Sequence, residues 1–323
     1  MHPKLHIIAN CTNRKSASVP ENLHLRTIPS GTLEERASAW WQRLTRHQGP
    51  RIPAVDLYAG GHWAAIRNLC IVAEQVGFNQ NLWAISAGYG LVLSSTCIHP
   101  YSATFSNSQP DAVTARTTDE KSRTELVQGW WNSLCSFSNP MIDGVRSFST
   151  LVQRFSHDYF LIIASPDYIL AIEQDLLNAI SRLVDRRRLI IISSHAGVAS
   201  SSLNSYLIPS DARLQMHVGG ALGALHARVA AMVLKNIKEW GFNAEVVRNK
   251  VEAIMSHSPP LPTYDRSPMT DCRVQNFIRE ALNQTPQASF TTLLRRLRDS
   301  GRACEQGRFK HLYNQVKGGG VEG

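Results

Sequence analysis

Four apolar runs of strand length, each stopped by a short polar side chain, restrict what this chain can fold into more than any other feature. They are Leu5–Ala9 before Asn10, Leu82–Ile85 before Ser86, Phe160–Ala164 before Ser165, and Leu189–Ile192 before Ser193. Continuous apolar runs of this length read as buried strands. Stretches of helical spacing lie between them, and that alternation predicts an α/β sheet flanked by helices. The second run is the most informative. It leads into Ser86-Ala87-Gly88-Tyr89-Gly90-Leu91 and on to His99-Pro100-Tyr101. Glycine admits backbone angles closed to other residues and lets a ligand approach the main chain. A polar loop after a buried strand is where open α/β sheets place binding sites. A tight turn around a packed tyrosine fits the same residues.

The helical expectations follow from capping and periodicity. Thr32-Leu33-Glu34-Glu35 is a capping box opening a helix through Arg46, with Trp40, Trp41 and Leu44 as its core stripe. Gly60-Gly61 leads into a helix over 62–76, and helical spacing marks 121–137 and 141–155, with Trp130 and Trp131 read as core. Ser165-Pro166-Asp167 opens a helix to about Val184. A further strand is expected over 203–208, and a long helix over 221–240 after Gly219-Gly220. The Ser-, Thr- and Asn-rich stretch 102–116 reads as a surface excursion or lid. Pro259-Pro260-Leu261-Pro262 marks a linker. The domains are therefore expected at 1–258 (α/β) and 268–317 (all-helical), with a disordered tail over 318–323.

Charge narrows the partners. The 323-residue chain has a net charge of +9 and a pI near 9.4, which favours a polyanion such as DNA or RNA, although an inert basic surface has the same composition. In the helical segment, Arg295, Arg298 and Arg302 fall at i, i+3 and i+7 beside Arg296, as on a helix-turn-helix or winged-helix reader. A solvated face on a packing module is the plainer reading. Arg186-Arg187-Arg188 reads as a solvated run that can also touch phosphate. Six cysteines lie scattered without CxxC spacing, which argues against zinc and a disulfide framework and fits a reducing cytoplasm. No metal or cofactor is expected: ligand spacing is absent, as are the GxGxxG and GxxxxGK[ST] patterns. No apolar run has the length of a membrane span or signal peptide.

The candidate site residues sit at strand and turn ends. Asn10-Cys11-Thr12-Asn13-Arg14-Lys15 follows the first strand; such residues bind phosphates or base edges, and equally form plain turns. Asp56 and Tyr58 flank Leu57 ahead of Gly60-Gly61, where an acidic residue orients a sugar or water, or merely caps a turn.

In order along the chain, Asp56-Leu57-Tyr58-x-Gly60, Ile85-Ser86-Ala87-x-Tyr89-Gly90-Leu91, Ile98-x-Pro100-Tyr101 and Ala164-Ser165-x-x-Tyr168 resemble the YaaA-type superfamily of DNA-binding proteins over roughly residues 4–210. The resemblance implies a mixed α/β domain whose shared motifs line a cleft with a DNA-linked role. In outline the whole chain is similar to antiphage DNA glycosylases that excise glucosylated hydroxymethylcytosine. Residues 211–323 have no counterpart in the YaaA-type proteins.

Breaking an N-glycosidic bond develops positive charge on the sugar, so it calls for an anion near that sugar, a positioned water and donors to the leaving base. On this reading Asp56 stabilises the sugar or activates water, and Asn10 and Tyr89 complete the catalytic set. Cys11, Thr12, Tyr58, Ser86, Gly88, His99, Tyr101, Ser165 and Tyr168 bind the substrate nucleotide. Tyr89 or Tyr101 stacks on an extruded base, because base chemistry in a duplex requires flipping. His99 or His195 protonates the leaving base. Arg14, Lys15, Arg295, Arg298 and Arg302 contact DNA phosphates. A non-enzymatic DNA binder and an enzyme acting on tRNA bases stay open as alternatives.

Overall fold

Residues 2–137, 144–194, 201–259 and 265–318 are described by the computed structural model. Six strands pair into one sheet: β1 (Lys4–Asn10), β2 (Asn79–Ser86), β3 (Gly90–Leu93), β4 (Tyr159–Ile163), β5 (Leu189–Ser193) and β6 (Leu207–Pro209). Their order across the sheet is β3-β2-β1-β4-β5-β6. All neighbours run parallel except β3, which turns back on β2. The sheet is therefore mixed, as the resemblance implied. Leu5, His6, Ile7, Ile8 and Ala9 are all wholly buried. Successive strand residues point to opposite faces, so both faces of β1 are covered.

Parallel register brings the polar stops together. Asn10 lies beside Ile85, Ile163 beside Ile192, and Ser193 beside Pro209. Asn10, Ser86, Ser165, Ser193 and Ser210 thus share the carboxyl edge of the sheet. The chain leaves β1 toward β2 on one side and returns to β4 on the other, making the β1–β4 boundary the point where strand order reverses. In open sheets that boundary is where a crevice forms.

Two sets of helices pack among themselves around this sheet. One comprises α1 (Leu33–Arg46), α3 (Arg123–Ser136), α4 (Phe148–Arg154) and α5 (Pro166–Ile180); the other includes α2 (Gly61–Gln75), α6 (Leu225–Lys235) and α7 (Ala244–Ser256). The capping box at α1 is present in both directions: Glu35 N–H donates to Thr32 Oγ1 at 3.3 Å and Thr32 N–H to Glu35 Oε2 at 2.8 Å. A second box, Ser122 with Glu125, opens α3. Trp40, Trp130 and Trp131 are fully buried and Trp41 nearly so.

Several boundaries differ from expectation. The predicted strand over 203–208 begins instead as a helical turn, Ser201–Asn204, and the strand comes at Leu207–Pro209. The predicted 221–240 helix is broken into a 3-10 turn, α6 and the short Ile237–Trp240 helix, and α7 follows where no helix was foreseen. Of 141–155 only α4 is helical, and residues 138–143 lie outside the described residues. The stretch 102–116 is a surface excursion at its tip, residues 107–110, which are exposed. Ala103, Phe105, Asp111 and Val113 are buried, and the Asp111 carboxylate accepts from Arg26 N–H at 2.9 Å, Ser102 Oγ at 2.7 Å and Arg26 Nη1 at 3.0 Å. Burial alone would raise the Asp111 pKa; these bonds outweigh it and hold it below the ordinary value.

The chain divides into two compact units, 1–259 and 260–323. The second has its own core, including Val274, Ile278, Leu293, Leu297, Phe309 and Leu312. These side chains come from α8 (Asp271–Gln284), α9 (Phe290–Asp299) and α10 (Gln306–Gly318). Ser289 caps α9 by accepting from Thr292 N–H at 3.2 Å. The expected linker residues 260–262 and tail residues 319–323 lie outside the described residues. Among those described, no single helix is long and apolar enough to cross a membrane.

Candidate functional site

At the β1–β4 boundary Asn10, half-buried, bridges the reversal. Its Oδ1 accepts from Ser165 N–H at 3.3 Å and its Nδ2 donates to Cys11 O at 2.9 Å. Three indoles fix the surrounding loops by donating to main-chain carbonyls. Trp63 Nε1 reaches Asn10 O at 3.1 Å, Trp130 Nε1 reaches Ala87 O at 2.8 Å, and Trp40 Nε1 reaches Gly88 O at 3.0 Å. These tryptophans fill the core, and they also satisfy loop carbonyls that would otherwise cost free energy when buried.

Beneath the loop after β1 lies a tyrosine cluster. Ser86 Oγ accepts from Gly88 N–H at 3.2 Å and Tyr89 N–H at 2.9 Å, and pairs with Tyr101 OH at 2.6 Å. Tyr101 OH pairs in turn with Tyr58 OH at 3.0 Å. Tyr168 OH lies 3.2 Å from Cys11 Sγ. Burial raises the phenol pKa values of Tyr58, Tyr89, Tyr101 and Tyr168, so all four stay protonated at neutral pH.

Lys15 covers this cluster. Its Nζ sits 4.7 Å from the Tyr101 ring centre and 5.1 Å from that of Tyr58, and it donates to Thr12 O. The side chain is half-buried, and among the described residues no carboxylate lies within ion-pair distance of it. Burial pushes its pKa below the ordinary lysine value. The segment is rigidly held: Ser16 N–H donates to Leu57 O at 2.9 Å and Ala59 N–H to Arg14 O at 3.0 Å.

Several polar atoms at this edge are buried without a hydrogen-bond partner among the described residues. They are the Ser193 and Ser210 hydroxyls, His62 Nε2 and His226 Nδ1. His62 and His226 open α2 and α6, and the two rings interact electrostatically. Burial lowers both pKa values to about 4, so both imidazoles are neutral at pH 7. A buried polar group without a partner costs roughly 1–3 kcal/mol, and in a native protein it points to a missing water or ligand. None of these four residues stood out as a candidate in the sequence. The signal was present in the serines that end successive strands.

Of the expected site residues, the structure brings Asn10, Cys11, Thr12, Lys15, Tyr58, Ser86, Gly88, Tyr101, Ser165 and Tyr168 into this connected region, and leaves others apart. Asp56 is a correction: its side chain is exposed, on the short helix Ala54–Leu57, with no hydrogen bond among the described residues. One turn of helix sends Leu57 and Tyr58 inward and Asp56 outward. Tyr89 and Tyr101 are also corrections as stacking platforms. They are 4% and 0% exposed and meet edge to face at 5.2 Å, so neither offers a free ring. Cys11, Tyr58, Ser86, Gly88 and Tyr168 are equally closed to a ligand. His99 is buried, its Nδ1 3.2 Å from Pro50 O and its ring edge-on to His47; His195 lies outside the described residues. Thr12 Oγ1 is spent on turn carbonyls, those of Arg14 and Ala59. Arg14 is exposed.

The arginine stripe of the helical unit is a further correction. Helix α9 ends at Asp299, and Arg302 belongs to a two-residue strand paired with Ser267–Pro268. Gly301, at φ +75°, turns the chain between them, so the i+7 spacing never acts on one helix face. Arg298 donates to Cys304 O at 3.2 Å, and Arg296 to Gln284 Oε1 at 2.8 Å. Arg295 is exposed.

All six cysteines are free thiols. Among the described residues no group of three or more His, Cys, Asp or Glu side chains could hold a metal ion. No protein-family model, no curated protein and no solved structure matches this chain.

Proposed function

We propose that this protein is a DNA glycosylase that cleaves the N-glycosidic bond of a modified base, with glucosylated hydroxymethylcytosine in phage DNA as its substrate, and leaves an abasic site in antiviral defence. The observation that carries the reading is the set of polar groups at the carboxyl edge of the sheet. Asn10, Ser165, Ser193, Ser210 and the neutral imidazoles of His62 and His226 are uncharged hydrogen-bonding groups, suited to a base and its sugar. Lys15, without a carboxylate partner among the described residues, adds a cation that suits a phosphate. The net charge of +9 supports a polyanionic substrate. The resemblance of the Tyr89–Leu91 and Pro100–Tyr101 blocks to YaaA-type DNA-binding proteins supports DNA over a small molecule.

The exposed position of Asp56 favours a second reading, a DNA-binding protein without catalysis, because the carboxyl edge then lacks the expected anion. One experiment separates the two. The purified protein is incubated with unmodified DNA and with DNA carrying glucosylated hydroxymethylcytosine. Released small products are identified by mass spectrometry, and the DNA is tested for alkali-labile sites. Release of the modified base, with breaks only in modified DNA, supports the glycosylase. Retarded mobility with no product supports the binder. Release from tRNA instead overturns the DNA assignment.

A further inference from the structure

Resting on the glycosylase reading, we propose that Lys15 is the amine nucleophile of the carboxyl edge: its Nζ bonds to C1′ of the bound deoxynucleotide and forms an imine between protein and DNA.

The geometry isolates Lys15 among the nucleophiles of this edge. The Cys11 thiol is buried against Tyr168, and the phenols of Tyr58, Tyr101 and Tyr168 are buried and bonded to one another or to neighbours. Of these groups only Lys15 is part-exposed, at the end of β1 five residues beyond Asn10. Its Nζ is positioned over two tyrosine rings whose hydroxyls are 3.0 Å apart, with that of Tyr101 2.6 Å from Ser86 Oγ. The backbone on either side of it is tied to residues 57–59. The amine is therefore held in one place, as a nucleophile must be. Among the described residues no carboxylate pairs with it, and burial lowers its pKa, which raises the fraction of free amine that can attack.

The step balances without any cofactor. The amine lone pair forms the N–C1′ bond as the bond from C1′ to the base nitrogen breaks. The electron pair of that bond leaves with the base, and the proton lost from the amine goes to the base. The sugar ring then opens: the C1′–O4′ bond breaks, O4′ takes the remaining amine proton, and an imine stands at C1′. Water hydrolyses the imine and returns the free lysine with an abasic site. This route supplies what Asp56 does not, since a covalent bond replaces the anion that would stabilise the sugar cation.

The test uses the full chain and a duplex oligonucleotide with a preformed abasic site, made by removing uracil from one position. Sodium borohydride reduces an imine to a stable secondary amine, so a trapped species appears as a protein–DNA adduct on a denaturing gel. Peptide mass spectrometry locates the modified residue. The expected result is an adduct at Lys15 whose yield falls roughly tenfold or more in Lys15→Ala and Lys15→Arg and is unchanged in Lys310→Ala. Lys15→Arg keeps the charge and most of the packing, and thermal melting of each variant identifies loss of folding as the cause of any loss of adduct. An adduct mapped elsewhere, undiminished in both folded Lys15 variants, or absent altogether overturns the proposal. Base release is measured separately on modified DNA. Release without an adduct overturns the lysine and leaves the glycosylase standing; an adduct at Lys15 without release from modified DNA upholds the lysine and overturns the glycosylase.

Discussion

The two ends of the sheet handle buried imidazoles in opposite ways. At the amino end, His6 is fully buried and both ring nitrogens are engaged: Nε2 pairs with Asp158 at 3.0 Å, and Nδ1 accepts from Trp83 Nε1 at 3.0 Å. At the carboxyl end, His62 bonds the Asn10 main chain, but His62 Nε2 and His226 Nδ1 are buried with no hydrogen-bond partner among the described residues, as are the strand-end hydroxyls of Ser193 and Ser210. A concavity of about 980 Å³ lies at the amino end, lined by Lys4, Glu74, Asp158, Tyr159 and Arg188 among others. A groove of about 540 Å³ lies between α2 and α6. Buried polar atoms without a hydrogen-bond partner among the described residues occur at both ends, Gln80 Oε1 and Arg188 Nε at the amino end and the two serines and two imidazoles at the carboxyl end.

Acid gives the largest expected effect. For His62 and His226 the folded pKa is about 4, below the unfolded value of 6.5, so the unfolded state binds more protons between those limits. Stability should therefore fall as pH drops from 6.5 to 4, by up to roughly 3 kcal/mol for each ring. Denaturant melts across that window should show the loss, and His62→Gln with His226→Gln should flatten it. A double variant as acid-sensitive as the parent would move the burden to His6 and break the contrast between the two ends.

Glycine substitutions sharpen the same contrast. A Cβ on Gly88 would stand 2.5 Å from the Tyr101 ring, which is fully buried and hydrogen-bonded, so Gly88→Ala should cost about 3 kcal/mol. At the amino end Gly77 has φ +100° and its nearest neighbour, His2, is 4.0 Å away. Gly77→Ala should carry backbone strain alone, about 1–2 kcal/mol. Equal shifts in urea midpoint would mean that the tyrosine cluster yields.

Ser86→Ala removes one oxygen that serves two buried amides and the Tyr101 hydroxyl, and it should cost about 2 kcal/mol. The smallest effect is expected at Asp56. Asp56→Asn should change stability by less than about 0.5 kcal/mol, as an exposed substitution does, and leave base release within about twofold of the parent. A large drop in release would return Asp56 to the mechanism and weaken the case for Lys15.

The strands were legible because burial on both faces writes itself locally, as uninterrupted apolar runs. The helix start at Thr32 was legible because an N-cap is a short-range pattern, and that at Ser165 because Pro166 sits at the first helical position, although the Ser165 side chain makes no capping bond. The site was only half legible. Ser86 and Tyr101 were singled out, but their spacing says nothing of depth, and both turned out to be closed to a ligand. Lys15 was read as a phosphate contact, since nothing local reveals that it lies on two tyrosines 43 and 86 residues further along the chain. Arg302 was misplaced because Gly301 ends the helical register that the spacing assumed.

The sequence by itself determined that this chain builds an α/β sheet with polar residues at the strand ends and a separate helical segment after it. Those properties depend on neighbours within a few residues. That the sheet is mixed follows from Gly90–Leu93 turning back on its neighbour. Tertiary structure decided which polar groups are satisfied and which are not: Asp56 outward, Tyr58 inward, His6 paired, His62 and His226 left open. The reason is physical, because hydrogen bonding and desolvation are set by whatever stands within about 3–4 Å of an atom, and in a folded chain most of that comes from distant residues.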